Sequence, residues 1–289
     1  MVRDRMARWL SVIRNRTRRT GSEQPGTISL LPLLDLPRTP FGGHPETEWL
    51  DADEPDGYRA RKGHPLYGEH DIRYRFNSYG YRCAEFTTTA DLRIVSVGCS
   101  CVLGTGLPQA ALFHERFAQR LAAQSGRSVV NWNLSSPGAS NDYICRVLFL
   151  ALPTLDPHIV LVNFTYAGRR EYVSVQNRLA SYDPGLRPRD LIGRELCSHF
   201  DALSSPLDDV INIFRNYKAI AALLADRFWL FSTIQPEAFE ALAGHIDRDR
   251  FAGDLLQVDF ARDHGHPGPQ SHARLADLYW ERFLALQPP

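Results

Sequence analysis

The sequence has little lysine and no excess of either charge. Of its 289 residues, 33 are Lys or Arg and 33 are Asp or Glu, so the formal net charge is zero. A protein that works mainly by neutralising phosphate groups carries a basic excess, so nucleic acid is not an expected partner. Only Lys62 and Lys218 are lysines, so nearly every positive charge is a guanidinium.

Long apolar runs are also lacking. A membrane-spanning helix needs about 20 apolar residues, and the longest run, near Val147 to Leu152, ends at Pro153. No transmembrane segment is therefore predicted. The hydrophobic fraction of 44% and the charged fraction of 23% are typical of a soluble globular protein.

The cysteines form no even, regularly spaced set. There are five, so at least one is unpaired, which favours a reducing compartment. The apolar stretch from Trp9 to Ile13 is too short for the core of a signal peptide, and arginines follow it. We therefore expect a cytoplasmic protein.

Residues 1–20 form a basic segment with seven arginines and one acid. Its apolar residues Met6, Trp9, Leu10 and Ile13 have helical spacing. Such a helix can contact a membrane surface or a partner protein, or it can be a frayed terminus or a helix docked on its own domain. The pattern leaves both interpretations open.

Residues 21–90 are rich in proline and show no lasting helical period, which indicates an extended arm laid over the domain. Within this arm, Ile72 to Tyr81 alternates apolar and polar residues around a turn at Asn77 to Gly80. That alternation predicts a short hairpin.

From residue 91 to residue 289, apolar runs of strand length alternate with helical stretches. Strands are predicted at 94–97, 128–134, 158–164, 228–232 and 255–259, and helices at 114–124, 142–152, 190–200, 206–226 and 271–286. The second of these helices is expected to be capped by Asp142. The alternation predicts parallel pairing and a three-layer α/β/α sandwich. Ligands bind such sheets at the carboxyl ends of the strands, so the loops there are the candidate site.

The loop after the first predicted strand runs from Gly98 to Gly106 and carries Ser100. Gly98 lets the chain turn sharply as it leaves the strand, which can present the Ser100 hydroxyl at the edge of the sheet. The loop lacks the Gly-Lys-Ser/Thr of a phosphate-binding loop and does not fit Gly-x-Ser-x-Gly, because position 102 is valine.

A second group of reactive side chains lies far along the chain, in Asp263-His264-Gly265-His266-Pro267. A nucleophilic serine needs a base to accept its proton, and the base needs an acceptor on its other nitrogen. An aspartate three residues before a histidine can supply both groups.

In these blocks the sequence resembles the SGNH/GDSL hydrolase family. A strand followed by Gly98-Cys99-Ser100 is similar to the family's first block, Gly138 to its second-block glycine, and Asp263 to Pro267 to its last block. The resemblance covers roughly residues 93–283. It implies a flavodoxin-like five-stranded sheet and a catalytic domain over residues 91–289.

The resemblance also implies roles for the residues. Ser100 would be the nucleophile, His266 the general base and then acid, and Asp263 its orienting partner. The backbone N–H groups of Ser100 and Gly138 would stabilise the oxyanion. No metal or cofactor is expected.

The sequence departs from the family at two places. Position 99 is Cys where the family has Asp, and the third-block asparagine, which completes the oxyanion hole, falls early, at Asn163 inside a predicted strand. If Asn163 does not reach the site, the candidates to replace it are Asn141, Thr165 and Arg169. The run Arg169-Arg170-Glu171 is also predicted either to bind an anionic substrate group or to be a solvated loop with a local ion pair.

Two other chemistries remain possible at these residues. Cys99 and Cys101 flank the serine, so a thiol nucleophile is an alternative, although small buried cysteines are common. Asp263, His264, His266 and His272 suggest a metal cluster, but their spacing does not match that of a common structural zinc site.

The leading functional hypothesis is a serine hydrolase that cleaves a small-molecule or carrier-bound acyl ester or thioester through an acyl-enzyme. An acyltransferase or lactone-forming enzyme on the same machinery is the second hypothesis. The third is a non-catalytic binding protein that retains the fold, which the altered blocks at Cys99 and Asn163 motivate.

Overall fold

A computed structural model describes residues 46–173, 179–183, 198 and 205–286. The predictions for the basic segment 1–20 and for most of the helix at 190–200 concern residues outside these ranges. Within the described ranges, no helix is both long and apolar enough to cross a bilayer.

The centre of the fold is a five-stranded parallel sheet. In chain order its strands are β3 (Leu92–Val97), β4 (Val129–Asn133), β5 (Ile159–Phe164), β8 (Phe228–Thr233) and β9 (Phe251–Asp254). They lie side by side in the order β4-β3-β5-β8-β9, and every pair is parallel. This is the flavodoxin-like order 2-1-3-4-5, so the fold prediction is confirmed.

Helices cover both faces of this sheet. They are α2 (Ser100–Leu103), α3 (Phe113–Ser125), α4 (Asn141–Leu155), α5 (Pro206–Leu223), α6 (Pro236–Glu240) and α7 (Pro269–Ala285). Successive strand residues face opposite sides, and the sheet accordingly has two cores. Val160 and Val162 pack in the core that contains α4 and α5, whereas Ile159 and Leu161 pack in the core that contains α3 and α7.

Two predicted details of these elements are wrong. The fifth strand is Phe251–Asp254 rather than 255–259. It contains Gly and Asp, which strands disfavour, so its composition concealed it, while Leu256 and Val258 in the predicted segment are exposed. The cap of α4 is Ser140 rather than Asp142, because its hydroxyl accepts from the backbone N–H of Tyr143.

Outside the central sheet lie two short antiparallel pairs. The arm contains β1 (Glu46–Thr47), α1 (Pro55–Ala60) and β2 (Tyr74–Arg75), and a second pair joins β6 (Arg170–Val173) to β7 (Leu179–Tyr182). The predicted turn is present, since Gly80 N donates to Asn77 O at 2.8 Å. The predicted hairpin is wrong, however, because β2 pairs with β1 rather than across that turn. The Glu46 carboxylate accepts from Arg73 and Arg75, which favours this pairing.

Candidate active site

The Ser100 loop leaves the carboxyl end of β3, beside the point where the strand order reverses. Gly98 is required there, because a Cβ at this position would overlap the Val102 side chain and lie 3.1 Å from Asn163 O. The chain then enters α2 with Ser100 as its first helical residue. Ser100 is 7% exposed, so its hydroxyl is held in a largely buried setting.

The Asp263 loop folds back over the same edge of the sheet. His264 adopts a left-handed backbone conformation, with φ of 57°, and Asp263 Oδ1 accepts from the backbone N–H groups of Gly265 and His266 at 3.2 and 3.1 Å. The tight turn places the side chains of Asp263 and His266 against each other. A local carboxylate thus organises the loop that holds the imidazole.

Ser100, His266 and Asp263 are joined by hydrogen bonds. His266 Nε2 lies 2.8 Å from Ser100 Oγ, and His266 Nδ1 lies 2.5 Å from Asp263 Oδ2. An ionised carboxylate only accepts hydrogen bonds, so Nδ1 carries a proton and Nε2 of the neutral ring is free to accept from the serine hydroxyl. The arrangement can therefore draw a proton from Ser100.

The local environment supports these protonation states. Burial, the largest influence, lowers the pKa of His266, but the hydrogen bond and the charge of Asp263 outweigh it, so the net pKa is raised above 6.5. Burial likewise raises the pKa of Asp263, and its hydrogen bonds to His266 and Gly265 reverse this, so the net pKa is lowered. An ionised Asp263 beside His266 stabilises the imidazolium that forms when the ring accepts a proton.

The loop with Gly138 lies beside the Ser100 loop. Ser136 N donates to Gly98 O at 3.3 Å, which joins the ends of β3 and β4. Gly138 has a φ of 66°, and its backbone N–H makes no hydrogen bond to any of the described residues. As the first residue of a helix, Ser100 has no acceptor within the helix for its own backbone N–H. Both groups predicted as oxyanion donors are thus available for a ligand.

Asn163 is not placed at this site. Its side chain is fully buried, and Nδ2 donates to Ser232 Oγ on the neighbouring strand at 2.7 Å. The residue lies within β5, so its side chain points to one face of the sheet rather than out of the strand end. The prediction that Asn163 is an oxyanion donor is therefore wrong.

Asn141 is also occupied by a structural contact. Its side chain is fully buried, accepts from Thr165 N at 2.9 Å and donates to Thr165 O at 3.2 Å. Both groups of its amide therefore hold the loop after β5. The fully buried amide of Asn141 thus has a structural role here rather than the predicted contact with a substrate.

Arg169 is half-buried in the loop after β5. Its Nη1 donates to Thr165 Oγ1 at 3.0 Å, and its Nε and Nη2 bind Asp183 at 2.7 Å. The local ion pair predicted for the run 169–171 is not found within it, because Arg169 pairs with Asp183, Arg170 with Asp208 and Asp209, and Glu171 with Arg146. The guanidinium of Arg169 also lies 4.9 Å from the centre of the Tyr166 ring.

The two cysteines beside Ser100 form a hydrogen bond with each other, and neither bonds to the His266 ring. Cys99 is fully buried, and its hydrogen bond to Cys101, together with burial, raises the pKa of the Cys101 thiol. Both ring nitrogens of His266 are occupied by Ser100 and Asp263. The geometry therefore favours the hydroxyl over a thiol as the nucleophile.

The residues considered for a metal site do not converge. Within the described residues there is no group of three or more His, Cys, Asp or Glu side chains arranged to hold a metal ion. His264 Nε2 contacts Gly63 O, and His272 is buried in α7, where its Nδ1 accepts from Phe113 N.

Several residues that support the site were not found in the sequence. His114 Nε2 and Asn133 Nδ2 both donate to Val102 O, and the fully buried Arg82 donates to Leu103 O and Gly104 O. These contacts hold the carboxyl end of α2. The sequence signal for Arg82 was its place directly after the predicted hairpin, which ends at Tyr81.

Comparison with family models and with curated proteins finds no match for this chain. Solved structures similar to it include TesA, with 15% identity over 66% of this chain and 97% of that chain and a TM-score of 0.43. The psychrotrophic esterase EstA from Pseudoalteromonas sp. has 13% identity over 66% and 96%, with a TM-score of 0.41. A family 3 carbohydrate esterase from Clostridium thermocellum has 14% identity over 68% and 99%, with a TM-score of 0.42. These TM-scores are below 0.5, so the likeness carries no argument about function.

Proposed function

We propose that this protein is a serine hydrolase of the SGNH/GDSL type that cleaves an acyl ester or thioester through an acyl-enzyme intermediate. One observation carries the proposal: the unbroken row of hydrogen bonds from Ser100 Oγ through the His266 ring to the buried Asp263 carboxylate. The side chains come from positions 166 residues apart, and their heavy-atom distances are those that proton transfer requires.

In the first half of the reaction, Ser100 Oγ attacks the acyl carbonyl carbon while His266 Nε2 takes the hydroxyl proton. The carbonyl oxygen becomes negatively charged, and the N–H groups of Ser100 and Gly138 donate to it. The tetrahedral intermediate then breaks its bond to the leaving group, and His266 returns the proton to the departing alcohol or thiol. The acyl group stays on Ser100.

In the second half, His266 takes a proton from water and the resulting hydroxide attacks the acyl carbonyl. The bond to Ser100 Oγ breaks, the proton returns to that oxygen, and the free acid leaves. An alcohol that enters in place of water would give a new ester instead. Acyl transfer or lactone formation therefore uses the same steps and differs only in the acceptor.

We assign Arg169 as the candidate for the third group that stabilises the oxyanion, besides the N–H groups of Ser100 and Gly138. It would take the role that Asn163 does not fill. Its guanidinium is held by Asp183 and Thr165 in the loop after β5, which leaves the same edge of the sheet as the Ser100 loop because β3 and β5 are parallel neighbours. It can bind either the developing oxyanion or an anionic group of the substrate.

The test is labelling of the purified protein with a fluorophosphonate probe, followed by turnover of p-nitrophenyl acetate with and without an alcohol acceptor. We expect wild type to be labelled and Ser100→Ala not to be labelled. Acetate as the sole product supports the hydrolase, whereas an acetylated alcohol supports acyl transfer. Wild type that is neither labelled nor active contradicts the proposal and favours a binding protein.

A further inference from the structure

The arm contains a fully buried tyrosine next to the candidate active site. The Tyr74 hydroxyl accepts from Gly106 N at 2.7 Å and donates to Asp53 Oδ2 at 2.5 Å. Its ring lies under the guanidinium of Arg82, 4.5 Å from the ring centre. Gly106 belongs to the Ser100 loop, so Tyr74 ties the arm to the segment that follows the nucleophile.

Asp53 in turn binds Arg262, the residue directly before Asp263. Arg262 Nε and Nη2 lie 2.9 and 2.7 Å from the two carboxylate oxygens, and both side chains are fully buried. The guanidinium also donates to Glu48 O and Glu69 O and lies 4.0 Å from the centre of the Trp49 ring. The arm thus supplies nearly every partner of the Arg262 side chain.

These contacts close a ring. Arg262 N donates to Gly106 O at 2.9 Å, so Tyr74, Gly106, Arg262 and Asp53 each bind the next member and the last binds the first. The two loops approach closely at this point. A Cβ on Gly106 would lie 3.0 Å from Arg262 N and 3.1 Å from Asp263 N.

The four residues of this hydrogen-bonded ring lie next to both halves of the site. On one side, Arg262 precedes Asp263, which organises the turn that carries His266. On the other side, the neighbour of Gly106, Thr105, donates its backbone N–H to Ser100 O at 3.2 Å. A shift of these four residues would therefore move the His266 imidazole relative to Ser100.

We propose that Tyr74 is a positioning residue that sets the distance between Ser100 Oγ and His266 Nε2 by tying the Ser100 loop to the Asp263 loop. The inference rests on the proposed function, because it concerns the geometry of the same site. Its basis is that one hydroxyl accepts from the first loop and donates to the carboxylate that holds the second. A phenylalanine retains the ring over Arg82 and loses both hydrogen bonds.

The chain offers a matched control for Tyr74→Phe. The hydroxyl of Tyr217, also buried, accepts from Asp247 N at 2.7 Å, at a position in α5 away from the site. Each substitution therefore removes one tyrosine hydroxyl that accepts a backbone N–H at the same distance. Tyr74→Phe should lose more stability than Tyr217→Phe, because it also removes the donor to the buried Asp53 carboxylate. Only Tyr74→Phe should disturb His266.

The first readout is the rate of fluorophosphonate labelling as a function of pH, below the melting temperature of both variants. We expect Tyr74→Phe to lower the maximal labelling rate on the order of ten-fold, with little change in the concentration for half-maximal rate, because small misplacements of reacting groups are costly. Tyr217→Phe should label like wild type. If the two variants label equally fast, the inference is wrong although the proposed function stands.

The pH at which labelling rises provides a signature that loss of stability would not produce. The charges that act on His266 come from Asp263, Cys99 and Asp51, and Tyr74→Phe changes none of them. If the loop loosens, burial and the Asp263 contact both weaken, so the midpoint should move down toward 6.5, the ordinary pKa of histidine. An unchanged midpoint with an unchanged rate would overturn the inference.

A third readout does not depend on activity. The proton between His266 Nδ1 and Asp263 should give a downfield NMR resonance that disappears in His266→Ala. We expect this resonance to broaden in Tyr74→Phe and to remain sharp in Tyr217→Phe. If Tyr74→Phe does not fold, Arg262→Lys replaces it, and a sharp resonance in that folded variant contradicts the inference. Wild type with this resonance but no labelling would contradict the proposed function alone.

Discussion

The loops after β3 and β5 leave neighbouring strands at the same edge of the sheet, yet their polar side chains have different fates. In the β3 loop, Ser100 points to a partner from a distant loop and contacts His266 at 2.8 Å. In and after β5, Asn163 turns into the core, and Thr165 is held by Asn141. The first loop presents a reactive group, whereas the second mainly stabilises the fold.

The difference follows from position relative to the strand end. The strand β3 ends at Val97, Gly98 follows it, and Ser100 is the first residue of the helix α2. The Ser100 side chain therefore lies beyond the end of the strand rather than on a face of the sheet. Asn163 is the penultimate residue of β5, where side chains alternate between the two faces. A shift of one or two residues decides whether a polar side chain serves a ligand or the core.

The largest expected effect comes from the β3 loop. We expect Ser100→Ala to reduce p-nitrophenyl acetate turnover by roughly 10⁴-fold or more, because the nucleophile is lost while the fold remains. Purified variant and wild type should have the same melting temperature within a few degrees. Residual activity above about one hundredth of wild type would show that Ser100 is not the nucleophile.

Asp263→Asn should lower kcat by about 10³- to 10⁴-fold, because the amide no longer selects the Nδ1-protonated tautomer of His266. The neutral ring is the base, so activity rises as pH increases through the pKa of His266. Wild type should therefore show a midpoint above 6.5, and the variant should show a lower one, since the contact that raises this pKa is gone.

Asp259→Asn is the matched control for this pH profile. Asp259 lies four residues earlier and binds Ser271 at the start of α7 rather than His266. The Asp259→Asn variant should be less stable than wild type, but the midpoint of its pH–activity profile should not change. An equal shift in both variants would mean that the general charge of the loop, rather than contact with His266, sets the pH dependence.

The β5 loop offers a smaller effect at Arg169. If its guanidinium stabilises the oxyanion, Arg169→Ala should lower kcat by about 10²-fold. If the guanidinium binds an anionic substrate group instead, Arg169→Ala should raise KM for an ester that carries such a group. The kcat for p-nitrophenyl acetate, which is uncharged, should then be unchanged. Arg146→Ala is the control, since Arg146 also forms a two-bond ion pair nearby, with Glu171. Equal losses in both variants would assign Arg169 a structural role.

The smallest effect on activity is expected at Asn163. Asn163→Ala removes the donor to Ser232 Oγ from the core and should lower the free energy of unfolding by about 1–3 kcal/mol. Activity of the folded protein should stay within two-fold or so of wild type, because the side chain does not face the site. Urea denaturation and turnover measured on the same sample separate the two quantities. A loss of about 10²-fold in kcat without a change in stability would mean that Asn163 does act as an oxyanion donor.

The architecture and the site residues Ser100, Asp263 and His266 could be predicted because their signals in the sequence are local. Strand and helix periods are local patterns, and Ser100, Asp263 and His266 stand directly after elements or in a tight turn. The hydrogen-bonded ring of Tyr74, Gly106, Arg262 and Asp53 could not be predicted. Charged residues are rarely buried unless paired, and the pairing of Asp53 with Arg262 across 209 residues leaves no local pattern. Arg169 presented the same difficulty, since two strands, β6 and β7, separate it from its partner Asp183.

The most direct measurement is the site of covalent labelling in the wild-type protein. After reaction with a fluorophosphonate, the protein is digested and the modified peptide is sequenced by mass spectrometry. The account predicts a single adduct on Ser100, at a rate that rises with pH to a plateau and is abolished in His266→Ala. An adduct on Cys99, Cys101 or any other residue, or labelling that persists without His266, would contradict it.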